Sequence, residues 1–155
     1  MRLTAMTDYS LRLLMYVAMR PERLCTITEI AEVHGISRAH LVKITHQLGL
    51  NGWIETVRGK GGGMRLAGCP EDINLGDVVR SVEPDFALVE CFATGSTCTL
   101  TGHCGLAHVI HDALLGFMRE LDGHTLADVL PRGTKGPQAL KKIRFAPLTR
   151  MRMTR

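Results

Sequence analysis

The feature that most constrains the fold is a glycine turn between two short amphipathic segments. Thr28 opens the first segment, and Ser37 caps the second, whose leucine and isoleucine residues recur at helical spacing. Gly35 lies at the centre of the turn between them. Two helices joined by a short glycine-containing turn are typical of a helix-turn-helix, which we predict at about residues 28–51. An ordinary helical hairpin with a basic face is the alternative.

A glycine-rich basic hairpin follows this motif directly. Residues 53–57 and 64–66 have the composition of short strands, and the intervening residues 58–63 read Arg-Gly-Lys-Gly-Gly-Gly. Glycine lets such a loop approach a groove or phosphates closely. The rival interpretation, a nucleotide-binding loop, fails because neither GxGxxG before a helix nor GxxxxGK[ST] occurs. We therefore predict a winged helix-turn-helix that is mainly α-helical, with the wing at about 54–66.

This arrangement predicts which side chains contact duplex DNA. In a helix-turn-helix, the N-terminal residues of the second helix contact base edges in the major groove. Polar residues outside the apolar stripe of that helix are therefore candidates, together with the basic residues of the hairpin. The candidates are Ser37, Arg38, His40, Lys43 and Gln47 in the helix, and Arg58, Lys60 and Arg65 in the hairpin.

The formal net charge of +4 is distributed unevenly along the chain. Residues 1–70 carry 9 basic and 5 acidic side chains, residues 71–131 carry 2 and 10, and residues 132–155 carry 8 and none. A basic first part is typical of a protein that binds a polyanion. We interpret residues 131–155 as a flexible basic tail that follows a regulatory domain at 2–130. The tail either strengthens non-specific DNA binding or is a solvated segment without function.

Three cysteines, Cys91, Cys98 and Cys104, lie in a run of Gly, Thr and Ser residues that is too polar for a core. The chain shows neither a signal-peptide apolar region nor an apolar run long enough to span a membrane. With an odd total of five cysteines, this pattern indicates a reducing cytoplasm, no membrane, and thiols that bind metal or are redox-active rather than bridged. We expect Cys25 and Cys69 to be small buried hydrophobes.

The spacing of the loop cysteines bears on what they bind. A structural zinc site normally uses CxxC pairs, and none occurs here. Wider spacing suits an iron–sulfur cluster, in which each cysteine takes a different iron. Because clusters usually have four cysteine ligands, a fourth ligand must come from Asp, Glu or His, and His103, His108 and His111 are near in sequence. Zinc or a bare thiol switch in the same loop stays open.

A long amphipathic helix is predicted at about 105–122, directly after the cysteine loop at 91–104. Its broad apolar face must be covered, either by the chain's own helices or by a second copy. We favour a homodimer, because helix-turn-helix proteins commonly bind two half-sites through a two-fold axis. We expect no enzymatic activity, because the sequence offers no constellation of paired acid and base groups and an iron–sulfur enzyme would leave the wing unexplained.

Four stretches in combination resemble the family of iron–sulfur winged-helix transcription regulators. They are residues 7–12 (TDYSLR), residues 37–44 (SRAHLVKI), residues 57–66 (VRGKGGGMRL) and the three-cysteine loop. The resemblance covers about residues 1–130. It implies a homodimeric transcriptional repressor that binds double-stranded operator DNA and holds one iron–sulfur cluster per subunit through Cys91, Cys98 and Cys104.

Within that family, this chain is more similar to the nitric-oxide-sensing repressors than to the IscR type, which reports cluster supply. The IscR type has a histidine three residues after the last cysteine, where this chain has Ala107. From the sequence alone, Thr7 is expected to cap the first helix, with Asp8 in its first turn as a favourable charge. The resemblance instead implies that Asp8 of the partner subunit is the fourth, oxygen ligand.

The resemblance also implies a mechanism. The cluster-loaded dimer would bind DNA, and nitrosylation or loss of the cluster would release it and derepress genes for nitric-oxide detoxification. A [4Fe-4S] cluster is favoured over [2Fe-2S], because each of the four ligands then takes one iron.

Overall fold

The computed structural model describes residues 2–100 and 102–131 of the 155-residue chain. Its regular elements, in chain order, are α1 (Ala5–Ala18), α2 (Ile27–His34), α3 (Arg38–Leu50), β1 (Ile54–Val57), β2 (Gly63–Leu66), α4 (Leu75–Val82) and α5 (Gly105–Asp122). Short 3-10 turns lie at Pro70–Asp72, Glu90–Phe92 and Ala127–Val129. The predicted basic tail lies, from residue 132 onward, outside the described residues.

The helix-turn-helix is present where the glycine turn predicts it. Thr26 caps α2 by accepting a hydrogen bond from the Glu29 amide at 3.3 Å, so this helix begins slightly before the predicted Thr28. Gly35 ends α2 at φ 66°, a left-handed conformation that suits glycine. Ser37 then caps α3 as predicted, because its hydroxyl accepts from an amide in the first turn. The chemistry of this turn and its caps therefore fixes the angle between α2 and α3.

The wing is a two-stranded antiparallel hairpin. Its register pairs Ile54 with Leu66 and Val57 with Gly63. Cys25 joins the hairpin through two backbone hydrogen bonds with Met64, at 2.9 and 2.8 Å. The predicted winged helix-turn-helix of mainly α-helical class is thus confirmed.

The hydrophobic core is centred on α1, which packs against α2, α3, β2 and α4, and Leu126 joins it from beyond α5. Its fully buried side chains include Leu13, Leu14, Ile30, Leu41, Ile44, Leu48 and Val78. Cys25 is fully buried, as predicted. The same prediction for Cys69 is wrong: this residue is exposed, because it lies in the short connection that leads from β2 into a surface 3-10 turn.

The start of α1 differs from the sequence expectation. Thr4, not Thr7, is the N-cap, and its hydroxyl accepts a hydrogen bond from the Thr7 amide at 3.3 Å. Thr7 is fully buried, and its hydroxyl donates to the carboxylate of Glu83. Asp8 remains in the first part of the helix, where a negative charge suits the helix dipole.

Helix α4 joins the core to α5. The Arg80 guanidinium forms a two-pronged ion pair with Asp122 near the end of α5, at 2.6 and 2.7 Å. The Asn74 side-chain amide donates to the Asp122 carbonyl at 2.8 Å. Within the part of the chain that the structure describes, no helix is both long and apolar enough to cross a membrane.

Candidate cluster site and nucleic-acid interface

The outer face of α3 carries the predicted DNA-contacting residues at its start. Ser37, Arg38 and Lys43 are all exposed. Among the described residues, no ion pair engages Arg38 or Lys43. Both cations are therefore available to phosphates or base edges, and their role in DNA binding stays a prediction.

Two other predicted residues of α3 face away from this surface. The His40 ring lies 6.1 Å from the Tyr9 ring of α1, although His40 is still exposed. Gln47 is half-buried and donates from its side-chain amide to Asn51 at 3.3 Å. Ala39, Val42 and His46 are exposed on the same side of α3 as Arg38 and Lys43, and sequence analysis did not single them out. Their spacing of three and four residues could have identified them as one face.

The wing presents basic side chains on a glycine backbone. Arg58 and Lys60 are exposed. Gly59 and Gly61 have φ values of 99° and 79°, which a residue with a side chain rarely adopts. Arg65 is exposed too, but its guanidinium forms an ion pair with Glu55 on the opposite strand, at 2.7 Å. Arg65 would therefore have to exchange a protein partner for DNA, whereas no ion pair within the described part of the chain engages Arg58 or Lys60.

Ser81 of α4 holds the end of α3 and the beginning of the wing. Its hydroxyl accepts from the Trp53 indole N–H at 2.9 Å, and its carbonyl accepts from the Asn51 side chain at 2.9 Å. The elements predicted to contact DNA are thus attached to the helix that leads into the cysteine loop. Sequence analysis missed this residue, because a single serine in a helix gives no signal of a distant partner.

The cysteine loop is ordered by local hydrogen bonds. Cys91 lies in the 3-10 turn, and Cys104 directly precedes α5. The side chain of Thr97 donates to that of Glu90 at 3.2 Å, which joins the residues that precede Cys91 and Cys98. All three cysteines are half-buried. They are reachable from solvent, as thiols that take up a metal must be.

The histidines considered as a fourth ligand lie on the surface. His103, His108 and His111 are all exposed. The His111 ring lies nearly perpendicular to the Phe92 ring, with ring centroids 6.3 Å apart. Across residues 2–100 and 102–131, no three side chains of His, Cys, Asp or Glu lie close enough to hold a single metal ion. One chain therefore does not assemble the predicted ligands into a single-ion site.

Asp8 has a partner within its own helix. Its carboxylate accepts from the Arg12 guanidinium at 2.8 and 2.9 Å. Arg12 also lies over the Tyr9 ring, 5.9 Å from its centroid, and Tyr9 in turn meets His40 of α3. A continuous series of contacts therefore leads from Asp8 to the second helix of the helix-turn-helix.

Glu83 connects the start of α1 to the segment that begins the cysteine loop. Its carboxylate accepts hydrogen bonds from the Thr4 amide at 3.3 Å, from the Thr4 hydroxyl at 3.1 Å and from the Thr7 hydroxyl. Asp8 follows Thr7 directly, so Glu83 holds both the helical turn that contains Asp8 and the segment that leads to the cysteine loop. Sequence analysis assigned no role to Glu83, because its partners lie 76 and 79 residues away.

The chemistry of the available donors fits an iron–sulfur cluster. Thiolates are the ligands of such clusters, and three half-buried cysteines stand on one short loop. A carboxylate is a harder ligand than a thiolate, so a set of three thiolates and Asp8 would be uneven, with its oxygen ligand the most exchangeable. The residues that the chain provides thus match the group that its sequence resemblance implies.

Comparisons with known proteins agree with this picture. The Rrf2 family model, described as an iron-dependent transcriptional regulator, matches residues 3–132. The HTH-type transcriptional regulator NsrR of Bacillus subtilis is 50% identical over 132 residues, which are 84% of this chain and 90% of that protein. NsrR of Halalkalibacterium halodurans is 45% identical over 146 residues, 93% of this chain and 99% of that protein.

Solved structures show the same fold. T. potens IscR is similar with a TM-score of 0.65 and 26% identity, covering 83% of this chain and 85% of that one. CymR, the global cysteine regulator of B. subtilis, is similar with a TM-score of 0.63 and 24% identity, covering 83% and 95%. The latter likeness concerns the fold alone.

Proposed function

Because the chain belongs to the Rrf2 family of iron-dependent transcriptional regulators, we propose that it is a nitric-oxide-responsive repressor that binds operator DNA as a homodimer. The observation that carries this proposal is the joining, in one chain, of an exposed basic winged helix-turn-helix to a loop with three half-buried cysteines. The family and the relatives named NsrR support it. The protein would act in the reducing cytoplasm, where such thiols persist.

The proposed ligands of the iron–sulfur cluster are Cys91, Cys98, Cys104 and Asp8 of the partner subunit. When bound, the cluster supplies iron that binds nitric oxide. We favour [4Fe-4S] over [2Fe-2S], with one cluster per subunit. Helix α5 begins directly after Cys104, and the positive end of its dipole favours an anionic thiolate there.

The residues of α1 would carry the signal to DNA. Asp8 holds Arg12, which lies over Tyr9, and Tyr9 meets His40 of α3. If Asp8 is a ligand of the cluster in the other subunit, this bond determines where α1 lies in the dimer, and α3 is held in place with α1. Release of Asp8 would then let the two α3 helices change their spacing, and the match to two half-sites would be lost.

The second subunit has a surface to bind. Leu106 and Val109, in the first turns of α5, are each 64% exposed. Apolar residues in neighbouring helical turns are typical of a face that a second copy covers. We propose that α5 is the dimerisation helix, so Val109→Glu should give a monomer in anaerobic sedimentation. Leu115→Glu, on another side of α5, serves as its control.

One titration tests the proposed signal. Nitric oxide is added stepwise to anaerobically purified protein, and the absorbance and operator binding are followed together. We expect a brown protein that contains iron and acid-labile sulfide, and loss of colour and of DNA binding in step. Release of DNA without a change in absorbance would contradict the proposal. A colourless protein that contains zinc would favour a zinc or thiol switch, and a brown protein indifferent to nitric oxide would favour the IscR-type role.

Asp8 can be tested against a matched control. Asp8→Ala and Arg12→Ala both remove the same exposed ion pair, which is worth only about 0.3–0.5 kcal/mol of helix stability. Only Asp8→Ala also removes the proposed oxygen ligand. We therefore expect Asp8→Ala to lose cluster content or its coupling to DNA, and Arg12→Ala to keep its iron and sulfide. Equal absorbance and equal iron and sulfide content in both variants would rule out the ligand role.

A further inference from the structure

An apolar patch lies in the middle of the basic face of α3. The Val42 side chain is 54% exposed, and Ala39, one turn earlier on the same face, is exposed as well. Arg38 and Lys43 are exposed on either side. No acidic residue occurs anywhere in α3.

The core does not account for Val42. The buried side of α3 is formed by Leu41, Ile44 and Leu48, and no described element covers Val42. Valine is also a weaker helix former than alanine or leucine, so local helix stability does not explain this residue at an exposed position. Its place does suggest a use, because it stands in the second turn of the helix that a helix-turn-helix inserts into the major groove.

We propose that Val42 is a specificity-determining residue that recognises the C5-methyl group of a thymine in each operator half-site. The thymine methyl is the apolar group that a base presents in the major groove, and small apolar side chains contact it. This inference rests on the proposed function, since it requires that α3 bind duplex DNA.

The charges beside Val42 favour DNA over a protein partner as the occupant. Arg38 and Lys43 flank the patch, and Arg58 and Lys60 of the wing add two more exposed cations. Phosphates on both sides of the groove complement such flanks, while the patch itself contacts the base edges between them. Arg38 and Lys43 thus hold the helix in place, and Val42 distinguishes thymine from cytosine.

The test removes the methyl group from the DNA. Duplexes are first selected from a random library with the anaerobic, cluster-loaded protein, and each thymine of the selected site is then replaced singly by uracil. We expect one symmetric pair of thymines to respond, with about a fourfold loss of affinity per half-site, the scale of one buried methyl group. Replacing both should cost about fifteenfold. In Val42→Ala the same replacement should have no effect, because the methyl has lost its contact.

Leu50→Ala is the matched control. Leu50 is 69% exposed on the same helix, eight residues and about 12 Å beyond Val42. It should keep the full response to uracil, and both variants should melt like the original protein.

The outcomes separate this inference from the proposed function. If no sequence is selected from the library, the proposed function fails. If a site is selected but no thymine responds to uracil, or if Val42→Ala keeps the full response, only the role of Val42 is overturned. Equal weakening of Val42→Ala on operator and random DNA would overturn it too, because a base contact affects the operator alone.

Discussion

Residues 5–82 and residues 83–117 of the same chain are built in opposite ways. The first region, here called the reading region, contains most of the hydrophobic core, with α1 and α3 packed through fully buried leucines. In the second, the sensing region, no described residue is buried until Met118 is reached. Burial of apolar surface stabilises the reading region. The sensing region gains less from this term, because its apolar side chains are at most half-buried in the single chain.

The cysteines repeat this contrast. Cys25, in the reading region, is fully buried, and burial raises the pKa of its thiol from 9.0 to about 11. Such a thiol stays protonated and is a poor nucleophile and metal ligand. Cys91, Cys98 and Cys104, in the sensing region, are half-buried on a polar loop. Cysteine thus packs into the core in the reading region, whereas in the sensing region it is placed for chemistry.

The largest expected difference comes from making the same truncation in each region. Leu41→Ala removes a fully buried side chain of α3 and should lower the free energy of unfolding by about 2–5 kcal/mol. Leu100→Ala removes one that is 62% exposed and should change it by less than about 0.5 kcal/mol. Urea unfolding of the cluster-free protein measures both. Similar losses in the two variants would mean that the sensing region has a core of its own.

Alkaline pH gives the next largest effect. Between pH 9 and about 11 the unfolded chain loses the Cys25 proton while the folded chain keeps it, so stability is complete below pH 9 and falls as the pH rises. The loss from this group should reach about 1–3 kcal/mol. We expect the free energy of unfolding to fall more steeply with pH above pH 9 in the original protein than in Cys25→Ala, and equally in both below pH 9. Unfolding measured from pH 8 to 11 tests this. Parallel curves throughout would contradict the burial of this thiol.

Acid pH should destabilise the reading region through His34. Burial, and then the nearby Arg12 and Arg20, lower the pKa of His34 below its ordinary value of 6.5. Below pH 6.5 the unfolded chain binds a proton at His34 that the folded chain does not bind. The free energy of unfolding therefore decreases as the pH is lowered, until the lowered pKa of His34 is reached. His34→Gln should flatten this part of the pH profile, as thermal unfolding between pH 5 and 8 can show. The same slope in both proteins would place the acid sensitivity elsewhere.

The smallest expected effect on stability concerns the wing. Glu55→Gln removes an exposed ion pair and should change the free energy of unfolding by less than about 1 kcal/mol. It should nevertheless strengthen binding to any duplex DNA, because the Arg65 guanidinium becomes available to a phosphate. The dependence of affinity on salt should become steeper by up to about one unit in the log–log slope. An unchanged slope would show that Arg65 does not reach DNA, and Thr56→Ala in the same strand is the control.

The sequence was sufficient for the elements that local rules determine. The Ser37 cap is where it was predicted, and the long helix predicted at about 105–122 spans Gly105–Asp122. Periodicity and capping depend on residues three or four apart, so a single sequence contains that information. The same rules could not distinguish Thr4 from Thr7 as the cap, since the choice depends on Glu83, 76 residues away from Thr7.

The candidate site was predictable in its residue types and less so in its arrangement. Clustered cysteines and a basic hairpin are visible in the sequence. His40 and Gln47 were singled out because they are polar. In the structure, the His40 ring lies beside the Tyr9 ring, and the Gln47 side-chain amide donates to Asn51. The ligand role of Asp8 stays a prediction, since the proposal places this carboxylate at the cluster of a partner subunit.

The end of α4, with the Glu83 that follows it, has a consequence for anyone who wishes to build hybrid regulators. Arg80 bonds to α5, Ser81 to the base of the wing and Glu83 to the first turn of α1. A chimera joined just after Val82 would keep the DNA-reading sequence. Its residue 83, however, would come from another protein than Thr4 and Thr7, whose hydroxyls donate to Glu83 here. A sensing region grafted from a relative should therefore be transplanted together with the first eight residues of that relative, although they lie at the opposite end of the sequence.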